Sequence, residues 1–339
     1  KFKKMRFWIV VLLVINGING DGNTFAFTYT DAKNNADWYT IVKTEGYKAV
    51  YVYAGDVETY CRGVAGSQAS TPCYFSGPNT NSYVYYTDYA KQTAAKYKNA
   101  GFEVYLNFDG RIGKGGYVAN FSLLSTDAIN GMANATANWV CSDPNVQGTG
   151  WDVEPYDNDQ VPYFEILSGL LAKCNKKYGL FTFPERFNTE MWTKGFGSSG
   201  FVLDSSYDLS TPCKCIEPSE QTQLLTNSLM YLRQYADKYS IPYQILLSGS
   251  GTTTMYTSYN GGNTCLGGGP VYNYTCPYSM ADWMSASIAA LDNANVKADP
   301  LYMGVGVYDY TDTNNGGFQP SLPPAKVISV LEGSGYFVN

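Results

Sequence analysis

The 339-residue chain contains no histidine. That excludes a Ser-His-Asp triad, a Cys-His pair and any histidine-ligated metal site built from this chain. Charge is scarce as well: Asp, Glu, Lys and Arg make up 15% of residues, with a net charge of −6. A basic footprint for nucleic acid is therefore missing, and no nucleic-acid partner is expected. The eight cysteines include no C-x-x-C pair, so the usual spacing of a thiolate zinc site is lacking. The first β-like run, Phe25-Ala-Phe-Thr-Tyr-Thr-Asp31, has none of the G-x-G-x-x-G spacing that cradles a dinucleotide phosphate. No stretch rich in Pro, Ser or Thr marks a linker to a second domain.

Apolar runs long enough to span a bilayer are also absent. The longest, Phe7 to Ile15, follows Lys1, Lys3, Lys4 and Arg6 and gives way to small or polar residues through Gly20. A basic start, a short apolar centre and a small-residue end describe a secretory signal peptide over residues 1–20, with Met5 as its start, and residues 21–339 as one domain. A retained membrane anchor is the alternative; the run is short for it. The expectation is a secreted, extracellular protein with no stable membrane insertion after cleavage. Three acceptor sequons agree with export: Asn120-Phe-Ser, Asn134-Ala-Thr and Asn273-Tyr-Thr. So does the even cysteine count, which reads as disulfides in an oxidising compartment. Cys61 and Cys73 flank one short loop, and Cys265 and Cys276 flank another. Cys141 and Cys174 fall at the ends of two predicted helices. Cys213 and Cys215 pair with each other or cross to the Cys265/Cys276 loop.

What the chain does have is one repeated pattern: a short β-rich run, a polar loop, then a helix. The runs are Thr24–Tyr29, Ala49–Tyr53, Glu103–Phe108, Gly148–Glu154, Leu180–Phe183, Phe201–Ser205, Gln244–Leu247 and Tyr302–Tyr308. Helical stripes fall between them at Tyr86/Ala90/Ala94/Tyr97, at Phe164/Leu167/Leu171/Cys174/Tyr178 and at Leu225/Leu229/Leu232/Ala236. Gly46, Gly101 and Gly179 are placed to close helices before the next strand. Pro323-Pro324 would open a last helix, Ala325–Leu331. Such alternation predicts an α/β fold, a single (β/α)8 TIM barrel with disulfide-bonded loops; a doubly wound open sheet is the alternative.

In a barrel the carboxyl ends of the strands line the active site. The fourth run ends Gly150-Trp151-Asp152-Val153-Glu154. Residues two apart share a strand face, so Asp152 and Glu154 are expected inward with Gly150 below, and Trp151 outward. A neighbouring carboxylate raises a pKa, which suits a general acid. An ion pair with Arg186 or Arg111 is the structural alternative. Other strand ends offer Asp31, Asp56, Asn107, Asp109, Glu185, Asp204, Tyr207, Asp208, Tyr308, Asp309 and Tyr310. Asp31, Asp56 and Asp109 would serve equally well by bonding nearby backbone amides, and Asp157 or Asp159 by capping a helix. An acidic, tyrosine-rich mouth suits a neutral sugar polymer, because rings stack on sugar faces and carboxylates bond hydroxyls. The seventh run ends Leu247-Ser-Gly-Ser-Gly, with no acid for a second catalytic carboxylate.

These residues resemble the family 18 glycoside hydrolases, the chitinase-like barrels. Asp152-Val153-Glu154 matches the end of that family's D-x-x-D-x-D-x-E motif, and Ser206-Tyr207-Asp208 fits its tyrosine-aspartate pair after strand six. The resemblance implies substrate-assisted retention on an N-acetylglucosamine polymer, with no cofactor. Glu154 would protonate the glycosidic oxygen, Asp152 would orient the substrate's acetamido group, and Tyr207 would donate to its oxygen. Asp208, Asp109, Glu185, Tyr308 and Tyr310 would line the substrate site. The chain departs from the family at Gly150, where an aspartate is usual, in the Asn107-Phe-Asp-Gly110 stretch, and in lacking a strand-eight tryptophan. A second reading is therefore a chitinase-like protein that binds glycan without cutting it, or assembles into an extracellular coat or filament. Its 31 tyrosines and low charge suit such self-assembly.

Overall fold

The computed structural model describes residues 25–28, 48–58, 83–84, 88–111, 121, 125–154, 158–182, 184, 187–204, 217–248, 280–308 and 333–336. Eight parallel strands carry the architecture: β1 (Phe25–Thr28), β2 (Ala49–Glu58), β4 (Glu103–Arg111), β5 (Gly148–Glu154), β6 (Lys177–Thr182), β7 (Gly200–Asp204), β8 (Tyr243–Ser248) and β9 (Tyr302–Tyr308). The two-residue β3 (Tyr83–Val84) pairs antiparallel with the end of β2. Because β1 hydrogen-bonds in parallel to both β2 and β9, the sheet curls round and meets itself. All eight predicted runs are strands. The helices described between them are α1 (Asp88–Asn99), α2 (Thr126–Ser142), α3 (Val161–Lys173), α4 (Pro218–Tyr239) and α5 (Met280–Asn293). A π-helical turn, Met191–Gly195, lies between β6 and β7. No helix among the described residues is long and apolar enough to cross a membrane.

Strand alternation sorts the side chains into two cores. Val50, Val52, Val104, Leu106, Phe108, Trp151, Leu180, Val202, Ile245 and Leu247 face the helices and pack with the predicted stripes. Ala90, Ala94, Phe164, Leu167, Leu225, Leu229 and Ala236 are all buried there. Trp151 stacks on Phe108 at 4.7 Å and meets Tyr163 edge-on at 5.6 Å. Inside the ring sit Ala49, Tyr51, Tyr105, Phe181, Phe201, Leu203 and Leu246. Tyr51 stacks on Tyr105 at 5.0 Å, and Phe181 approaches it edge-on at 5.6 Å. The Tyr51 hydroxyl donates to Gln244 Oε1 at 2.6 Å, crossing from β2 to β8. These rings form a plug that fills the interior below the strand ends.

Gly150 belongs to this packing. A Cβ there would stand 2.7 Å from Phe181 Cε2 and 3.0 Å from Tyr51 Cδ1. The position faces inward as predicted, and two rings occupy the space that a side chain would need.

One predicted helix end is misplaced. Gly101 does close α1, with φ +100°. Gly179 does not close α3; it lies inside β6, which starts three residues before the predicted run at Leu180. The left-handed residue after α3 is Asn175, with φ 57°. Gly179 is small for a different reason, since a Cβ would meet Leu203 Cδ1 and Phe201 Cε2 at 2.6 Å. Tyr178, read as the end of the helical stripe, is a buried β6 residue stacked on Phe164 at 5.8 Å. Gly46, Tyr86 and the Ala325–Leu331 helix lie outside the described residues.

Cys141 and Cys174 are bridged, with a Cα–Cα distance of 5.8 Å, and tie the last turn of α2 to the residue capping α3. The other six cysteines, Cys61, Cys73, Cys213, Cys215, Cys265 and Cys276, lie outside the described residues. At the amino-terminal end of β8 and β9, Asp299 is 4% exposed and binds three elements together. Its Oδ2 accepts from Arg233 Nε at 3.0 Å and from the Tyr243 hydroxyl at 2.9 Å. Its Oδ1 accepts from the Leu301 amide at 2.9 Å.

Two stability outcomes follow from these contacts. Asp299→Ala removes the acceptor from a buried, hydrogen-bonded ion pair and should cost about 3 kcal/mol in urea unfolding. Gly150→Ala forces a methyl against Phe181 and Tyr51 and should cost about 1–3 kcal/mol by overpacking. A Gly150→Ala protein as stable as wild type would show that the rings give way freely.

Candidate functional site

The site is built from the carboxyl ends of β2, β4 and β5. On β5, Trp151 is fully buried against the helices, so the next residue, Asp152, falls on the barrel side, where it is half-buried. Glu154 is the last residue of the strand, in Cα register with Arg111 at the end of β4. Asp109 of β4 is in register with Asp152, and Asp56 of β2 is in register with Asp109. A register shift between Tyr53 and Gly55 brings Asp56 into this line. Three aspartates thus share one lateral row across three neighbouring strands, with strand spacings of about 4.8 Å.

One row lower stand Tyr53, Asn107 and Gly150. Asn107 shares the inward face of Tyr105, since Leu106 and Phe108 pack outward. It is 1% exposed, and among the described residues neither Nδ2 nor Oδ1 has a hydrogen-bond partner. A buried polar group left unmet costs about 1–3 kcal/mol. Its sequence signal was available: a polar residue at the inward parity of an otherwise apolar strand. Asn107 and Asp56 are visible in the sequence as strand-end residues, but nothing in either run alone marks them as neighbours of the Asp152 site.

Below this row the plug carries no charge. Burial pushes the Tyr51 phenol well above its ordinary value, and the neighbouring Tyr105 and Glu103 push it further. Burial does the same for Tyr105, with Glu103 again adding to it. Both phenols therefore stay protonated at any working pH.

Not every predicted strand-end residue reaches the mouth. Asp204 ends β7, but it is fully buried on the parity of Val202, which faces the helices. The inward neighbours of that parity are Phe201 and Leu203, so Asp204 is a buried residue of the outer layer. Tyr308 ends β9 in register with Ser248, the last residue of β8. The end of β8 offers no acid, as the sequence indicated. Glu185, Arg186, Tyr207, Asp208 and Tyr310 lie outside the described residues.

Of the sequons, Asn120 and Asn273 lie outside the described residues. Asn134 is exposed, but it sits within α2 rather than in a loop, and its Nδ2 donates to the Asn130 carbonyl at 2.8 Å. The Thr136 hydroxyl of the same sequon is fully buried and shares a 3.0 Å hydrogen bond with Tyr163.

No protein-family model and no curated protein matches the sequence. The fold does find likenesses among solved structures. The spore cortex-lytic enzyme SleL of Bacillus cereus matches with a TM-score of 0.55 at 10% identity, over 91% of this chain and 74% of that one. A class V chitinase from Pseudomonas fluorescens Pf-5 matches with a TM-score of 0.53 at 13% identity, over 92% and 99%. The endo-β-1,4-glucanase Xac0029 of Xanthomonas axonopodis pv. citri matches with a TM-score of 0.51 at 11% identity, over 87% and 89%. At these identities the likeness is one of architecture, and the chain has the α/β barrel fold on which these carbohydrate-cleaving enzymes are built.

Proposed function

We propose that this chain is a secreted glycoside hydrolase that cleaves an N-acetylglucosamine-containing polysaccharide with substrate assistance. The carrying observation is the placement of Asp152 and Glu154 on the fourth parallel strand, at the carboxyl end where barrels do their chemistry. The absence of an acid at the end of β8 argues against a two-carboxylate pair across the sugar. In the proposed reaction Glu154 gives its proton to the glycosidic oxygen as that bond breaks. The substrate's own acetamido oxygen forms the bond to the anomeric carbon. Asp152 holds the amide nitrogen and offsets the positive charge that develops there. Water then opens the cyclic ion, giving a proton to Glu154, and configuration is retained. Tyr207 would donate to the acetamido oxygen, with Asp208 beside it. The Cys141–Cys174 bridge fits export to an oxidising compartment.

A second reading has its own observation. Gly150 leaves Asp152 without the acidic neighbour of the resembling family, and Tyr51 and Phe181 fill that place. On that reading the mouth binds glycan without cleaving it.

Glu154→Gln separates the two. Under the first reading, turnover of an N-acetylglucosamine oligomer falls by at least about 100-fold while binding by calorimetry changes little. Binding without turnover in the wild-type protein would leave the second reading. Neither binding nor turnover would remove both.

A further inference from the structure

Asn107 has no part in the chemistry above, yet it is the buried amide next to the acids. On β5 the position in register with it is Gly150, which presents no side chain. Asp152 follows two residues on, a diagonal neighbour of Asn107 on the inward face. Diagonal neighbours on one sheet face lie about 7–8 Å apart between Cα atoms, within reach of two polar side chains. From below, the plug offers Asn107 mostly rings, and the Tyr51 hydroxyl already donates to Gln244. The mouth side is the direction in which a partner stands, and Asp152 is there, half-buried.

We propose that Asn107 is a positioning residue for Asp152: in the working conformation of the mouth its Nδ2 donates to the Asp152 carboxylate, supplying from β4 a contact that Gly150 withholds on β5. A neutral amide suits this place, because it steadies a carboxylate without adding like charge to a crowded acidic row. Among the described residues, strand register places Glu154 on its own strand, Asp109 and Arg111 on β4 and Asp56 on β2 around Asp152. On its other side β6 brings Leu180 and Phe181. The catalytic consequence rests on the hydrolase reading; the contact itself does not.

Asn107→Leu keeps the branched shape and deletes both polar atoms. It should still fold cooperatively, with a melting temperature within a few degrees of wild type, as an apolar replacement of similar shape in a buried place. On an N-acetylglucosamine oligomer its kcat should fall about 100-fold with KM within about twofold, the mark of a misaligned catalytic group rather than lost binding. Asn107→Ala should lose kcat to a similar extent. A folded Leu variant with wild-type kcat overturns the proposal. If the wild-type protein cleaves no oligomer, the hydrolase reading fails separately. Asn107 is then decided by carbon-detected NMR titration of the Asp152 carboxyl: a higher midpoint in Asn107→Leu supports the contact, and an unchanged midpoint overturns it.

Discussion

Within the ring of strands, Tyr51 stacks on Tyr105, receives the edge of Phe181 and hands its hydroxyl to Gln244 on the far side. Much of the site depends on how high this packing reaches. It reaches up to Gly150, where the missing side chain leaves room for the Phe181 and Tyr51 rings. Above these rings the inner faces of β4 and β5 present Asn107 and Asp152. A floor of neutral phenols and phenyl rings lowers the local dielectric, and charges above it feel each other more strongly than they would in water.

Gly150, where the resembling family has an aspartate, is therefore part of the packing of these rings. The rings and the glycine are one unit: an aspartate cannot occupy position 150 while Tyr51 and Phe181 stay where they are. The polar group at this level sits instead on the neighbouring strand, as the Asn107 amide. A motif read along one strand registers only the loss. The sheet, read across strands, shows the Asn107 amide in register beside Gly150.

This difference also accounts for what could be read from the sequence. The strands were legible because each is a compact β-branched and aromatic run, and the inward face of β5 followed from alternation alone. The Cys141–Cys174 bridge was legible because both cysteines end helices on consecutive β/α units. Gly179 was misread because a glycine after an apolar stripe looks the same whether it ends a helix or makes room for Leu203 and Phe201 across a strand. Asp204 was misread for a similar reason: one residue of phase decides whether a strand-end acid meets the mouth or the helices. The row of Asp56, Asp109 and Asp152 depends on a register shift in β2, and lateral register is a property of strand pairs that no single run encodes.

The bridge between α2 and α3 closes a covalent loop of chain, and β5 lies inside it, between Cys141 and Cys174. The strand bearing Asp152 and Glu154 is thus held at both flanks by a bond that does not depend on the barrel staying shut. A protease that nicked the chain anywhere between the two cysteines would leave the halves joined. The damage would show only once the bridge was reduced, so a cut molecule would keep its acid-bearing strand in place long after its backbone had been broken.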